Sequence, residues 1–306
     1  MMPAERIGFI GCGHMGGAMA ARLLGKGHAL AVCDPDTAAL APLLARGAER
    51  MPTPRAVAEQ ATIVFACLPS REASLAAALG EDGVARGGTV RVYVEASTIG
   101  QPTVAAIAHG LDGTGIELAD MPVSGGPAWA AEGNLTTILA ASATARERLA
   151  PVLADLARRV LVVGDAPGLA QVAKLVNNLI SFAGMLAACE AIVLGVKAGL
   201  DADLLLEVVN AGTGRNSATT DKFPKAVLPR SFDYGGPLAI GTKDIDLYRE
   251  LGRSLGMPTF VGDHVSTLWN YGVSRGAPDQ DYSELVRHFE AWAGVTVKGK
   301  AAPPDT

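Results

Sequence analysis

Short apolar runs, each bounded by glycine, proline or a polar cluster, alternate with helical patterns through the first half of the chain. Residues 6–10, 29–33, 62–67, 89–94, 116–119, 135–140 and 160–163 read as strands, with a helix at about 144–157 between the last two. This alternation predicts an α/β fold whose doubly wound, mostly parallel sheet ends near Gly164, with ligands beyond the carboxyl ends of the strands. After residue 165 no strand-like alternation remains. Residues 167–196 read as one helix of about 28 residues, roughly 42 Å long at ~1.5 Å per residue. A break at 198–201 follows, then helical patterns at about 202–211, 240–255, 263–275 and 281–293. The expected organisation is a Rossmann-like domain (1–165), a long interdomain helix (166–196), an all-helical domain (197–297) and a flexible tail (298–306). A small substrate would be enclosed in the cleft between the two domains.

From Leu175 to Val196 the long helix is apolar almost all round, which predicts packing on every side. Its polar residues Gln171, Lys174, Asn178 and Ser181 fall at i, i+3, i+7 and i+10, on one stripe, with Asn177 beside it. A lysine on such a helix must be paired, lose its proton or face a cavity. The alternative at this point is an amine that reaches solvent along its stem. A membrane span is disfavoured, because Glu190 interrupts a segment already short of the ~20 apolar residues required.

Composition narrows the class. The 306 residues are 49% hydrophobic and 19% charged, with a net charge of −5 and no basic block, so a nucleic-acid partner has no electrostatic support. Cys12, Cys33, Cys67 and Cys189 have neither zinc spacing nor a disulfide pattern, which fits a reducing, cytoplasmic setting. The opening residues lead straight into a strand, and glycines break the apolar region that follows, so no export signal is expected. No HExxH motif or carboxylate–histidine cluster suggests a metal.

The first strand runs into Gly11-Cys12-Gly13-His14-Met15-Gly16 and an Ala-rich helix. In that context GxGxxG has a mechanism: Gly11 for the tight turn, Gly13 for backbone approach to a pyrophosphate, Gly16 for helix-on-strand packing. The helix N-terminus then favours phosphate. Asp34 ends the second strand, where a carboxylate would accept hydrogen bonds from the adenosine ribose and repel a 2′-phosphate, favouring NAD over NADP. Its alternative role is an acidic cap for the next helix. Later strand ends carry Leu68-Pro69, Ser97-Thr98 and the loop Pro122-Val-Ser124-Gly125-Gly126-Pro127. Adjacent glycines after a serine, before a helix start, leave backbone N–H groups unobstructed for a carboxylate or phosphate.

Taken together these stretches resemble the β-hydroxyacid dehydrogenase family, which includes 3-hydroxyisobutyrate dehydrogenase and tartronate semialdehyde reductase. The carriers are GFIGCGHMGGAMAARLL with Asp34, Leu68-Pro69, Ser97-Thr98-Ile99, DMPVSGGPAWAAEGNL, GLAQVAKLVNN and TKDIDL from Thr242. The resemblance implies Lys174 as catalytic lysine with Asn178 as its partner, and Ser124, Gly125 and Gly126 as holders of the substrate carboxylate. It places Thr98 at substrate and cofactor. It gives the cofactor Gly11, Gly13, His14, Met15, Gly16, Asp34, Leu68, Pro69 and Lys243, with Asp244 positioning Lys243. It also implies NAD as cofactor, lysine acid/base chemistry on a hydroxyacid, and a homodimer or homotetramer. Two departures stand out. Gly168-Leu-Ala170 replaces the usual Gly-x-Gly, and Gly236 stands where the family often has a bulky aromatic, which predicts a pocket lacking one wall. Alternative readings are reduction of tartronate semialdehyde, threonate-related, sulfolactaldehyde or imine substrates, or a non-catalytic cofactor-binding module. Lys174 argues against the imine reading, since related imine reductases carry another residue there.

Overall fold

The computed structural model describes residues 6–277 and 279–303 and resolves two compact units, divided between Lys174 and Leu175. In the first unit the elements run β1 (Ile7–Ile10), α1 (His14–Gly25), β2 (Leu30–Cys33), α2 (Thr37–Leu44), β3 (Glu49–Arg50), α3 (Pro54–Gln60), β4 (Ile63–Ala66) and α4 (Arg71–Leu79). They continue with β5 (Val92–Glu95), α5 (Gln101–Leu111), β6 (Glu117–Asp120), β7 (Val123–Ser124), α6 (Gly126–Glu132), β8 (Leu135–Ala140), α7 (Ala143–Leu156) and β9 (Ala157–Gly164). The strand order is β3-β2-β1-β4-β5-β6-β8-β7, with β9 on β8. Pairings are parallel except those of β8 with β6 and β7.

Strands β1, β2, β4 and β5 are buried at every residue, as strands covered by helices on both faces must be, which explains their continuous apolar runs. Ile7 pairs with Leu30 on one side and Ile63 on the other. Phe9 and Phe65 stack at 5.5 Å on one face. On the other face Gly8 lets α3 approach, since a Cβ there would sit 2.3 Å from Val57 Cγ1. The two-residue strands β3 and β7 have no sequence signal, being too short to show a period. Strand β9 is longer than expected, and its apolar residues Val160 to Val163 are exposed along the sheet edge.

The second unit holds the rest of α8 (Leu169–Lys197), then α9 (Ala202–Ala211), a π-helix (Ala218–Val227), α10 (Leu238–Ser254), α11 (Phe260–Arg275) and α12 (Val286–Ala293). Its core includes Phe182, Trp269, Tyr282 and Phe289. Phe182 and Trp269 lie 4.7 Å apart, and the Trp269 indole N–H donates to Leu238 O at 3.0 Å. The π-helix is set by i→i−5 bonding, seen as Leu228 N donating to Phe223 O at 2.8 Å.

Three expectations need correction here. The long helix is not packed on every side: Val176, Ile180 and Leu194 are exposed at 43%, 67% and 68%, forming an apolar stripe on the isolated chain. By length and composition it could cross a membrane, yet Leu175, Leu179, Met185, Leu186, Cys189 and Ile192 on its other faces are buried. The helix expected at 281–293 is a 3-10 turn, Tyr282–Leu285, followed by α12. The tail is anchored where it was expected to fray. Val297 N donates to Glu290 Oε1 at 2.7 Å, Gly299 N to Leu228 O at 3.0 Å and Lys300 N to Asp203 Oδ2 at 2.8 Å, while residues 304–306 lie outside the described residues.

Candidate active site

In the first unit the glycine turn has the geometry its spacing predicts. Gly11 adopts φ +82°, and a Cβ there would lie 2.3 Å from Cys67 O. A Cβ at Gly16 would meet Gly11 O at 1.9 Å and Phe9 at 3.2 Å, so α1 can sit against β1 only because this residue is glycine. At Gly13, the N-cap of α1, a Cβ would meet nothing within 4 Å, and no side chain caps the helix. The turn therefore presents unobstructed backbone N–H groups at the start of a 12-residue helix, with His14 exposed and Met15 half-buried beside it. A dinucleotide pyrophosphate fits such a cradle.

Asp34 reaches back to this turn. Its Oδ2 accepts from Cys12 N at 2.6 Å and its Oδ1 from Asp36 N at 2.8 Å. The cap of α2 is Asp36, which accepts from Ala38 N at 2.8 Å, so the alternative capping role of Asp34 falls away. Burial, with Asp34 close by, pushes the Cys12 thiol up to about 12, which leaves it inert at neutral pH.

The strand ends are tied together by residues to which the sequence reading gave no role. Ser97 Oγ accepts from Leu68 N at 2.7 Å, locking the Leu68-Pro69 turn to the end of β5. Ser97 N donates in turn to Glu95 Oε1 at 3.0 Å, and Tyr93 OH to Glu95 Oε2 at 3.2 Å. Glu95 is fully buried; burial pushes its pKa up to about 7, against the hydrogen bonds from Ser97. Thr98 follows, partly buried.

Gln171, the first residue of the polar stripe, is fully buried and fixes the start of α8. Its Oε1 accepts from Ile99 N and Gly100 N at 2.9 and 3.0 Å. Its Nε2 donates to Ser97 O at 3.1 Å and Asp120 Oδ1 at 2.8 Å. Asp120 Oδ2 accepts from Gly168 N, Ala170 N and Gln171 N at 2.9 to 3.2 Å, a carboxylate at the positive end of the helix. Burial pushes the Asp120 pKa up while these donors oppose the shift. Lys174 stands one turn along this anchored segment with 8% of its surface exposed, so its side chain does not run out to solvent.

In the anion loop Ser124 is half-buried, and Gly125 and Gly126 take φ +134° and +77°, values that exclude ordinary side chains. A Cβ at Gly126 would meet nothing within 4 Å, so the backbone there is open. The helix behind it, α6, has only seven residues, so it adds less dipole than the sequence suggests.

In the second unit Asn178 Nδ2 donates to Asp244 Oδ2 at 2.6 Å, and Asn177 Nδ2 to Asn178 Oδ1 at 3.0 Å. Lys243 Nζ lies 3.2 Å from Asp244 Oδ1. Asp244, 3% exposed, thus orients Asn178 as well as pairing with Lys243. Gly236 does not leave an empty space. A Cβ there would fall 1.8 Å from Tyr282 Cε1, so the Tyr282 ring fills the space that a side chain at 236 would take, with Tyr234 at 5.7 Å from it.

Comparison with known proteins gives these features a family. Residues 6–164 match the NAD-binding domain of 6-phosphogluconate dehydrogenase, and residues 168–289 match the "NAD-binding of NADP-dependent 3-hydroxyisobutyrate dehydrogenase" domain. The chain belongs to the β-hydroxyacid dehydrogenase family and is an NAD-dependent oxidoreductase. It is 35% identical to 3-hydroxyisobutyrate dehydrogenase of Pseudomonas aeruginosa, covering 92% of this chain and 98% of the relative. It is 32% identical to 2-(hydroxymethyl)glutarate dehydrogenase of Eubacterium barkeri, covering 98% and 99%. Among solved structures it is similar to Mycobacterium tuberculosis 3-hydroxyisobutyrate dehydrogenase with L-serine, at TM-score 0.84 and 28% identity over 94% of this chain and 99% of that one.

Proposed function

We propose that this chain interconverts a small β-hydroxyacid and its semialdehyde, with Lys174 as general acid/base and NAD preferred over NADP. The observation that carries the reading is Lys174 itself, a buried lysine one turn beyond a helix start that Gln171 and Asp120 fasten to the ends of β5 and β6. Bound NAD supplies the hydride acceptor. In oxidation the carbinol carbon gives up its hydrogen as hydride while the neutral Lys174 amine takes the hydroxyl proton, and the C–O bond becomes a carbonyl; reduction reverses the steps. Ser124, Gly125 and the open backbone at Gly126 are suited to the substrate carboxylate. Asn178, held at 2.6 Å by Asp244, orients the amine or the hydroxyl without adding charge. Gly11, Gly13, His14, Met15, Gly16, Leu68, Pro69, Thr98 and Lys243 serve the cofactor, and Asp34 discriminates against a 2′-phosphate.

The exposed stripe of Val176, Ile180 and Leu194 supports a homodimer or homotetramer, and the four free cysteines, three of them buried, support a cytoplasmic setting. A turnover screen with NAD and short hydroxyacids, led by 3-hydroxyisobutyrate and 2-(hydroxymethyl)glutarate, tests the reading. NADH formation with at least one is expected, and no turnover of any hydroxyacid or semialdehyde would contradict it.

A further inference from the structure

The second unit contains a buried cation to which the proposed mechanism gives no role. Lys222, on the π-helix, is 4% exposed. Its ammonium donates to Ser217 Oγ at 2.8 Å and Ser181 Oγ at 3.2 Å, and sits 5.7 Å from the centre of the Tyr234 ring. Both hydrogen-bond acceptors are neutral. An ammonium has three N–H donors, and the third has no protein partner among the described residues. The adjacent carboxylate, Asp221, bonds Lys225 at 2.5 Å and the Tyr234 hydroxyl; it favours the Lys222 charge from beside it but takes neither of the ammonium's two hydrogen bonds. An ammonium buried with both its hydrogen bonds on neutral hydroxyls is incompletely compensated by a carboxylate that does not bond it, and an anion that takes the third N–H would complete the arrangement.

Its location says what kind of anion. Ser181 belongs to the same stripe of α8 as Lys174 and Asn178, three residues past Asn178, or about 4.5 Å along the helix axis. Ser217, the other acceptor, is exposed, so the cluster opens to solvent. Both hydroxyls accept from Lys222, so each keeps its O–H; one can donate to the other at 3.4 Å, and either can turn to donate to an oxyanion. We infer that Lys222, Ser181 and Ser217 form a second anion subsite, which takes a distal carboxylate, so that the preferred substrate is a dianionic β-hydroxyacid. The inference rests on the proposed function for its placement along α8. Burial lowers the Lys222 pKa to about 8, so the amine remains mostly cationic at neutral pH and can meet such a group.

Binding tests the subsite independently of turnover. Glutarate and butyrate, five-carbon diacid and four-carbon monoacid, are titrated calorimetrically into the full-length NAD-loaded protein. Glutarate is expected to bind at least tenfold more tightly, and in Lys222→Met the ratio should fall below threefold. Ser217→Ala, an exposed change that does not threaten folding, should lower the same ratio severalfold and stands in if Lys222→Met does not fold. Equal affinities in the wild type, or a ratio that survives both substitutions while absolute affinities fall together, would overturn the inference and leave Lys222 a packing element. If no hydroxyacid is oxidised yet the ratio behaves as described, the dehydrogenase reading fails and the subsite stands.

Discussion

Replacing Glu95 with glutamine isolates the energetics of the network that holds the strand ends. Glu95 is fully buried, and its pKa of about 7 against an ordinary 4.5 means that the folded protein keeps a proton the unfolded chain has lost. Below about pH 4.5 both states are protonated and the group is neutral in its effect. Between that value and about 7 the native state binds more protons than the unfolded state, so stability falls as pH rises. At ~1.4 kcal/mol per pH unit the full loss is about 3–4 kcal/mol. Glutamine keeps the shape: its oxygen can accept from Ser97 N, and its amide can donate to the Tyr93 hydroxyl, which accepts as readily as it donates. Urea unfolding at pH 5 and at pH 8 should show the wild type and Glu95→Gln similar at the lower pH. At the higher pH the variant should be more stable by about 2–3 kcal/mol. A difference between the two proteins that does not change with pH, or that changes with the opposite sign, would refute the reasoning.

Further outcomes follow from the same geometry. Asp34→Ala should narrow an NAD preference in kcat/KM of at least tenfold (about 1.4 kcal/mol), read from initial rates with NAD and NADP; an unchanged ratio would remove Asp34 from cofactor choice. Gly236→Ala drives a methyl into the Tyr282 ring, 1.8 Å from Cε1, and should destabilise the protein by about 1–3 kcal/mol in thermal or urea unfolding. The exposed stripe on α8 predicts a dimer or larger by light scattering at micromolar concentration, and a monomer mass would count against it.

The parallel sheet was legible because its central strands are buried on both faces and so write continuous apolar runs; Ile63–Ala66 and Leu30–Cys33 lie within the expected spans. The glycine turn was legible because each glycine answers a separate steric demand. What escaped depends on contacts between residues far apart in sequence. Asp120 looked like the end of a strand, and its role at the start of α8 comes from residues 48 to 51 positions later. Glu95 carries no local mark of its burial. Lys222 lies in a π-helix, whose i→i−5 bonding erases the 3.6-residue period that would have announced a helix. Gly236 was read as an empty place because the ring that fills it, Tyr282, comes from 46 residues away and only folding brings it there.

The central claim is that Lys174 transfers the proton. The most direct measurement is steady-state oxidation by Lys174→Ala and Lys174→Arg with a substrate identified in the screen, alongside their affinity for NAD. The account predicts a turnover number lower by ~10²–10⁴ in both variants, since guanidinium remains protonated across the working range. NAD affinity should stay close to wild type, because the glycine turn and Asp34 are untouched. It also predicts that the rise of the oxidation rate with pH disappears. A wild-type turnover number in Lys174→Ala would contradict it and turn the search for the acid/base to Lys243.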